Sequence, residues 1–186
     1  KKGEKDANSG KTGGTGGPHQ HNEERDTESE EVLDPIEYFK EKITDTRSPK
    51  IQGILVCPIE GKGVVNGSKR KLELKPVTAK NGKQTLTGKI EAWGEIGLAV
   101  KAYDYMDNTT NIYGVREITL RLDSQIVYHS DLDRFAFDET RFLNSYVDYE
   151  EWKEHRSFYM RSFVEPGNRL RFIESANRGI INIDEE

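Results

Sequence analysis

Ile51-Gln52-Gly53-Ile54-Leu55-Val56-Cys57, closed by Pro58, is the stretch whose reading decides the fold. It is short, mostly apolar and rich in β-branched residues. Those features indicate a strand rather than a helix. The same signal recurs on its C-terminal side. Asn66-Gly67 marks a tight turn, and Lys71-Leu72-Glu73-Leu74-Lys75 then alternates cleanly. Asn81-Gly82 is a second turn signal. Ile96, Leu98, Val100 and Ala102 share one face of a long strand, and Asp104 to Asn111 is a polar loop. Ile118, Leu120 and Leu122 alternate with Glu117, Thr119 and Arg121. Asp123-Ser124 turns the chain into Ile126-Val127-Tyr128, and Phe135 and Phe137 continue the pattern. Leu170 with Phe172, then Ile181 with Ile183, supply the last strands, after a turn at Glu165-Pro166-Gly167-Asn168. Short strands punctuated by turns, with burial at period two, indicate an antiparallel sandwich.

One helix interrupts the β pattern. Asp148-Tyr149-Glu150-Glu151 is a capping box, Val147 and Trp152 frame it as a hydrophobic staple, and the helix runs to about His155. An earlier helix is expected at 35–41. Asp34 is its N-cap, Pro35 its first residue and Glu37 its capping-box partner, with Ile36, Phe39 and Ile43 on the apolar side. Thr44 to Pro49 reads as a linker, because Pro49 forces Ser48 into extended geometry.

Composition sets limits. The chain has 186 residues, 33% hydrophobic and 33% charged, with a formal net charge of -5. No basic stripe is visible, which argues against a nucleic-acid partner. Cys57 is the single cysteine, so no intrachain disulfide forms. No apolar run approaches the roughly 20 residues of a membrane span. The sequence begins at Lys1 without methionine, which leads to the expectation of a fragment or a processed form. Residues 1 to 31 hold almost no apolar side chain and, taken alone, are expected to be mobile.

Within that polar segment, Gly13-Gly14-Thr15-Gly16-Gly17-Pro18 runs into His19-Gln20-His21. Alternate residues of a strand point the same way, so His19 and His21 project to one face, where two imidazoles can share a metal or divide metal binding and proton transfer. Ser9-Gly10-Lys11-Thr12-Gly13 followed by Gly17-Pro18-His19-Gln20-His21-Asn22-Glu23 resembles the last motif of the lysostaphin-like zinc metallopeptidases. That family carries a Ser-Gly-x-Thr-Gly loop and then a Gly-Pro-His-x-His-x-Glu strand. Residues 45–186 also resemble the β-sandwich that follows such peptidases in Bacteroidetes-type cell-envelope proteins. Asp45-Thr46-x-x-Pro49 and Phe137-Asp138-Glu139-Thr140-Arg141 carry that second likeness.

The resemblance implies a zinc ligand at His21 and a catalytic His19 beside the metal-bound water, as base or oxyanion stabiliser. It implies zinc as cofactor in the intact family enzyme, peptide bridges of peptidoglycan as substrate, and a periplasmic or cell-envelope location. Two departures follow. The family's other two zinc ligands, a histidine and an aspartate upstream of this motif, have no counterpart, since the remaining histidines are His129 and His155. Catalytic zinc needs three protein ligands, so this chain alone is expected to bind no zinc and to be inactive. Gln20, Asn22 and Glu24 stand where the family has large apolar residues, so no core is expected behind that strand.

The resulting expectation is a mainly β chain. Residues 1–44 are a remnant of a peptidase β-domain with a short helix at 35–41, residues 45–49 are a linker, and residues 50–186 are an antiparallel immunoglobulin-like sandwich with one inserted helix. The sandwich is an accessory domain of a cell-envelope zinc peptidase, or else a non-catalytic module that binds glycan or protein. Its expected partners are peptidoglycan or a cell-envelope protein. Lesser candidates are His129 beside Asp131 and Asp133 as a metal site, and Asp104, Asp107 and Asn108 as a calcium loop. Trp93, Tyr103, Tyr105 and Tyr113 are candidates for a glycan-binding face. Cys57 reads as a small buried hydrophobe rather than a nucleophile.

Overall fold

The computed structural model describes residues 23–183. Two short strands, β1 (Glu24–Arg25) and β2 (Val32–Leu33), form a hairpin, and one helical turn, α1 (Ile36–Phe39), follows. Next comes β3 (Lys50–Val65), 16 residues long. The chain turns back into β4 (Leu72–Leu74), which pairs with β3. A separate ribbon joins β5 (Val77–Thr78) to β6 (Gln84–Thr85). Then β7 (Ala92–Tyr103) runs antiparallel along β3. A hairpin of β8 (Glu117–Leu122) and β9 (Gln125–Asp131) precedes β10 (Arg134–Phe135), which pairs with β2. After a 3-10 run at Phe137–Phe142 come α2 (Leu143–Tyr146) and α3 (Tyr149–His155). Last are β11 (Met160–Arg161) and β13 (Ile181–Ile183), both on β7, with β12 (Ile173–Ser175) on β9 between them in sequence.

The described residues are 41% strand and 15% helix, with antiparallel sheets consistent with a β-sandwich, as expected. The turns sit where Asn-Gly pairs predict them. Asn66 and Gly67 take φ of 48° and 70°, and Val65 and Ser68 exchange backbone hydrogen bonds across the turn.

Several elements differ from the sequence reading, each for a physical reason. The strand at Ile51 does not stop at Pro58. Pro58 lies opposite Ile96 at the start of an irregularity that ends at Gly63, and proline is tolerated in a sheet at such a bulge. Burial at the centre of β7 does not follow period two. Ala99 is buried along with Ile96 and Ala102, and a Cβ at Gly97 would overlap the Phe163 ring. Small residues on the second face let side chains pack there too, so one core gathers Leu55, Cys57, Ala99, Tyr159, Phe163 and Ile180, and another Val56, Val65 and Ile96.

Phe137 does not continue a strand. It opens the 3-10 run and is 54% exposed, because Glu139 turns back to accept the Ala136 N–H at 3.0 Å. The helical insertion therefore holds two short α-helices and a 3-10 run rather than one helix. Leu170 and Phe172 precede their strand, which is β12. Leu170 is buried just ahead of a turn, and Phe172, within that turn, packs edge-on to Tyr146 with ring centroids 5.3 Å apart. The helix expected at 35–41 is a single turn with no buried residue. Asp34 accepts the Ile36 N–H at 3.0 Å, which starts the turn, but no apolar stripe is covered to extend it.

Polar contacts fasten residues 24–47 to the strands that follow. Arg116 reaches Asp131 at 2.7 Å, Glu37 at 2.6 Å and Asp34 at 3.4 Å. Glu31 meets Arg171 at 2.8 Å. Thr46 donates its backbone N–H and its hydroxyl to Asp107, at 3.0 and 2.9 Å. Among the described residues no helix is long and apolar enough to cross a membrane.

Candidate functional site: a capped helix that presents an aromatic ridge

Asp148 is fully buried, which is costly for a carboxylate unless every lone pair is used. Its backbone N–H donates to the Tyr159 carbonyl at 2.7 Å, which pins the residue beside β11. Oδ1 accepts the Glu151 N–H at 3.2 Å, so the predicted N-cap of α3 forms. Oδ1 also accepts Lys71 Nζ at 2.8 Å, and Oδ2 accepts Arg161 Nη2 at 3.4 Å. Lys71 extends a second hydrogen bond to Glu150 at 2.7 Å, and Arg161 pairs with Glu165 at 3.1 Å. Two cations from β11 and from beside β4 thus hold the first turn of α3.

The charges respond accordingly. Burial alone would raise the Asp148 carboxyl, but the Lys71 hydrogen bond and the Arg161 charge outweigh it and hold the group below its ordinary value. Burial would likewise lower Lys71, but Asp148 and Glu150 hold the ammonium above its ordinary value. Unfolded, the Asp148 carboxyl titrates near 3.8. The stabilisation is complete above that value and is lost as pH falls through the lower folded value. The urea midpoint is therefore expected to fall steeply on acidification from about pH 5 to about pH 2. Repeating the titration on Asp148→Asn should remove part of that dependence.

The far end of α3 is closed by Arg156, in the left-handed region at φ 54°, whose N–H reaches back to the Trp152 carbonyl at 3.0 Å. Between the caps, Tyr149, Trp152 and Arg156 fall at i, i+3 and i+7 and share a face. The Tyr149 and Trp152 ring centroids are 5.6 Å apart, and Trp152 lies 6.2 Å from Phe158. The Arg156 guanidinium sits 4.9 Å above the Trp152 ring. Tyr149 is 48% exposed and Phe158 49%. Three aromatics and an arginine thus form a ridge open to solvent on a helix clamped at both ends.

Cys57 lines a cavity of 330 Å³ beside this charge cluster, with Lys71, Asp148, Arg161 and Phe163. Burial first, and then the Asp148 charge, push its thiol up to about 12. Little thiolate exists at neutral pH, so the folded protein is expected to leave Cys57 unmodified by a thiol-directed disulfide reagent, and to react with one equivalent once unfolded in urea.

The other candidates are placed as follows. His19 and His21 lie outside the described residues. His129 is on β9 with Nδ1 3.0 Å from the Thr119 hydroxyl, while Asp131 and Asp133 pair with Arg116 and Arg134. His155 pairs with Glu151 at 3.0 Å. Among the described residues no group of three or more His, Cys, Asp or Glu side chains is arranged to hold a metal. Asp107 of the expected calcium loop is engaged by Thr46, and Asp104 accepts the Tyr105 N–H at 2.9 Å. Trp93 is 57% exposed near the start of β7, and Tyr103 ends that strand. Ten residues of strand separate them by roughly 30 Å. Tyr113 pairs with Asp104 and lines a cleft that Tyr103 and Tyr105 do not line, so the four aromatics do not form one face.

The ridge was not anticipated as a site, although its i, i+3, i+7 spacing was visible in the sequence. The Lys71–Asp148 partnership carried no local signal, since 77 residues separate the pair. Fold and site together define a mainly β protein that displays an aromatic helix. Compared with family models, with curated proteins and with solved structures, the chain matches none.

Proposed function

We propose that this chain is a non-catalytic binding module of the cell envelope, and that the α3 ridge is its contact surface for a protein partner. The observation that carries this reading is the exposure of Tyr149 and Phe158 around Trp152 and Arg156. Tyr, Trp and Arg are the residues that dominate binding energy at protein interfaces, and a preorganised helix spends little entropy on binding. The buried charge cluster supplies that preorganisation.

The test uses the full chain, solubilised cell-envelope protein and insoluble peptidoglycan. Retention by the protein fraction is expected. The double substitution Tyr149→Ala with Phe158→Ala should weaken it at least about 30-fold, the effect of about 2 kcal/mol at a hot spot, while leaving unfolding nearly unchanged because both rings are half exposed. Retention by protease-treated peptidoglycan, unaffected by the double substitution, would instead favour a glycan contact elsewhere.

A second reading rests on the Ser9 to Glu23 series. On it, the module belongs to a zinc peptidase acting on peptidoglycan peptide bridges, with His21 as one zinc ligand and His19 as the catalytic partner. The module then positions the catalytic domain and is inactive alone. Zinc-dependent cleavage of purified peptidoglycan by this chain would contradict that inactivity.

A further inference from the structure

An apolar recess lies between residues 32–45 and the loops that join β7 to β8 and β9 to β10. It encloses 740 Å³. Its floor is apolar, with Leu33, Ile43, Met106, Tyr113, Val115 and Leu132 among the lining residues. A cleft of this size with an apolar floor and a few polar groups suits a small organic ligand.

The charges at its edge are unevenly satisfied. Arg116 is neutralised by Asp131, Glu37 and Asp34, Arg134 by Asp133 and Glu31, and Lys40 by Glu37. Asp45 and Asp104 also line the cleft, and neither has a cationic partner among the described residues. Each uses one oxygen locally: Asp45 Oδ1 accepts the Arg47 N–H at 3.0 Å, and Asp104 Oδ1 accepts the Tyr105 N–H at 2.9 Å. A second carboxylate oxygen remains on each. Each of the three cations that line the cleft is compensated, whereas these two anions are not; Arg47, just outside the lining, is turned to the Tyr105 ring at 4.7 Å and the Met106 carbonyl at 3.4 Å. Asp104 is half-buried beside apolar surface, where a charge pair is less screened than in open water.

We propose that this cleft binds a small amphiphilic amine, with its apolar body on the Met106–Tyr113–Val115 floor and its ammonium between Asp45 and Asp104. No covalent step is involved, and the site is independent of the α3 ridge.

The test titrates the full chain with phenethylamine, with the uncharged phenethyl alcohol and with phenylpropionate, followed by NMR shifts of the Met106 methyl and the Val115 methyls. Saturable binding of the amine is expected, at least about tenfold tighter than the alcohol, with no saturation by the carboxylate. Asp45→Asn with Asp104→Asn should reduce amine binding to the level of the alcohol while the circular dichroism spectrum is retained. If that pair fails to fold, amine binding read against sodium chloride concentration supplies the same test, since it should weaken as salt screens the charge pair while alcohol binding does not. Equal binding of amine and alcohol, absence of saturation, or shifts confined to other residues would overturn the proposal. So would carbodiimide cross-links from Asp45 or Asp104 to Lys1, Lys2, Lys5 or Lys11, which would assign the cleft to the protein's own N-terminal lysines.

Discussion

Replacing Asp148 by alanine is expected to lower the unfolding free energy by about 3 to 5 kcal/mol in urea titration at neutral pH. Two losses combine. The substitution strips α3 of its N-cap, worth about 1 kcal/mol. It also leaves Lys71 and Arg161 without their shared counter-ion, and Arg161 is only 16% exposed. Breaking a buried pair by removing one partner is far more damaging than losing a surface ion pair, which is worth about 0 to 1 kcal/mol. Lys71→Met provides the contrast. It removes one cation but spares the cap and the Arg161 contact, so a loss of about 1 to 2 kcal/mol is expected. Equal losses from the two substitutions would mean that Asp148 does not act as the common anchor. Because α3 carries Tyr149, Trp152 and Arg156, the same substitution should also abolish partner binding at temperatures where the β sheets remain folded.

The second large effect is expected at Gly94. Its φ is 73°, and a Cβ there would overlap the Lys62 carbonyl. Gly63, its register partner, is equally confined, since a Cβ on it would overlap the Glu95 carbonyl. The obstacle is backbone in both cases, so no side chain can swing aside. Gly94→Ala is therefore expected to cost about 3 kcal/mol or more. Gly61 lies in the same irregular stretch with φ 72° but nothing near its Cβ position. Gly61→Ala carries only the conformational penalty of about 1 to 2 kcal/mol. Urea unfolding of the pair separates steric closure from left-handed strain: similar losses would show that β3 and β7 do not approach as closely as described.

The strands were legible because their signals are local. Asn66-Gly67 and Asn81-Gly82 impose turns, and the alternation in Lys71–Lys75 and Glu117–Leu122 follows from one covered face. The α3 helix was legible for the same reason, since Asp148, Glu150 and Glu151 lie within one turn of each other. What escaped the sequence depends on contacts made at a distance. β3 passes through Pro58 only because β3 itself bulges between Pro58 and Gly63, opposite Ile96 to Gly94 of β7. Phe137 looks like a strand residue until Glu139 folds back on Ala136. The alternation of Ile96, Leu98, Val100 and Ala102 shows one covered face of β7, but not that Gly97 leaves room for Phe163 on the other. The Asp148 cluster joins residues 71, 148 and 161, and no window of sequence contains all three. The ridge was written at helical spacing, but reading it as a surface required knowing which side of α3 the cluster holds down.

The most direct measurement of the binding-module reading is site-specific photo-cross-linking in the cells that make this protein, with the photoreactive residue placed at Phe158 or, as control, at the equally exposed Ile126 of β9, which is 47% accessible. The reading predicts a single cross-linked protein species from position 158, absent from position 126 and lost when Tyr149 is replaced by alanine. No adduct from position 158, or the same adducts from both positions, would contradict it.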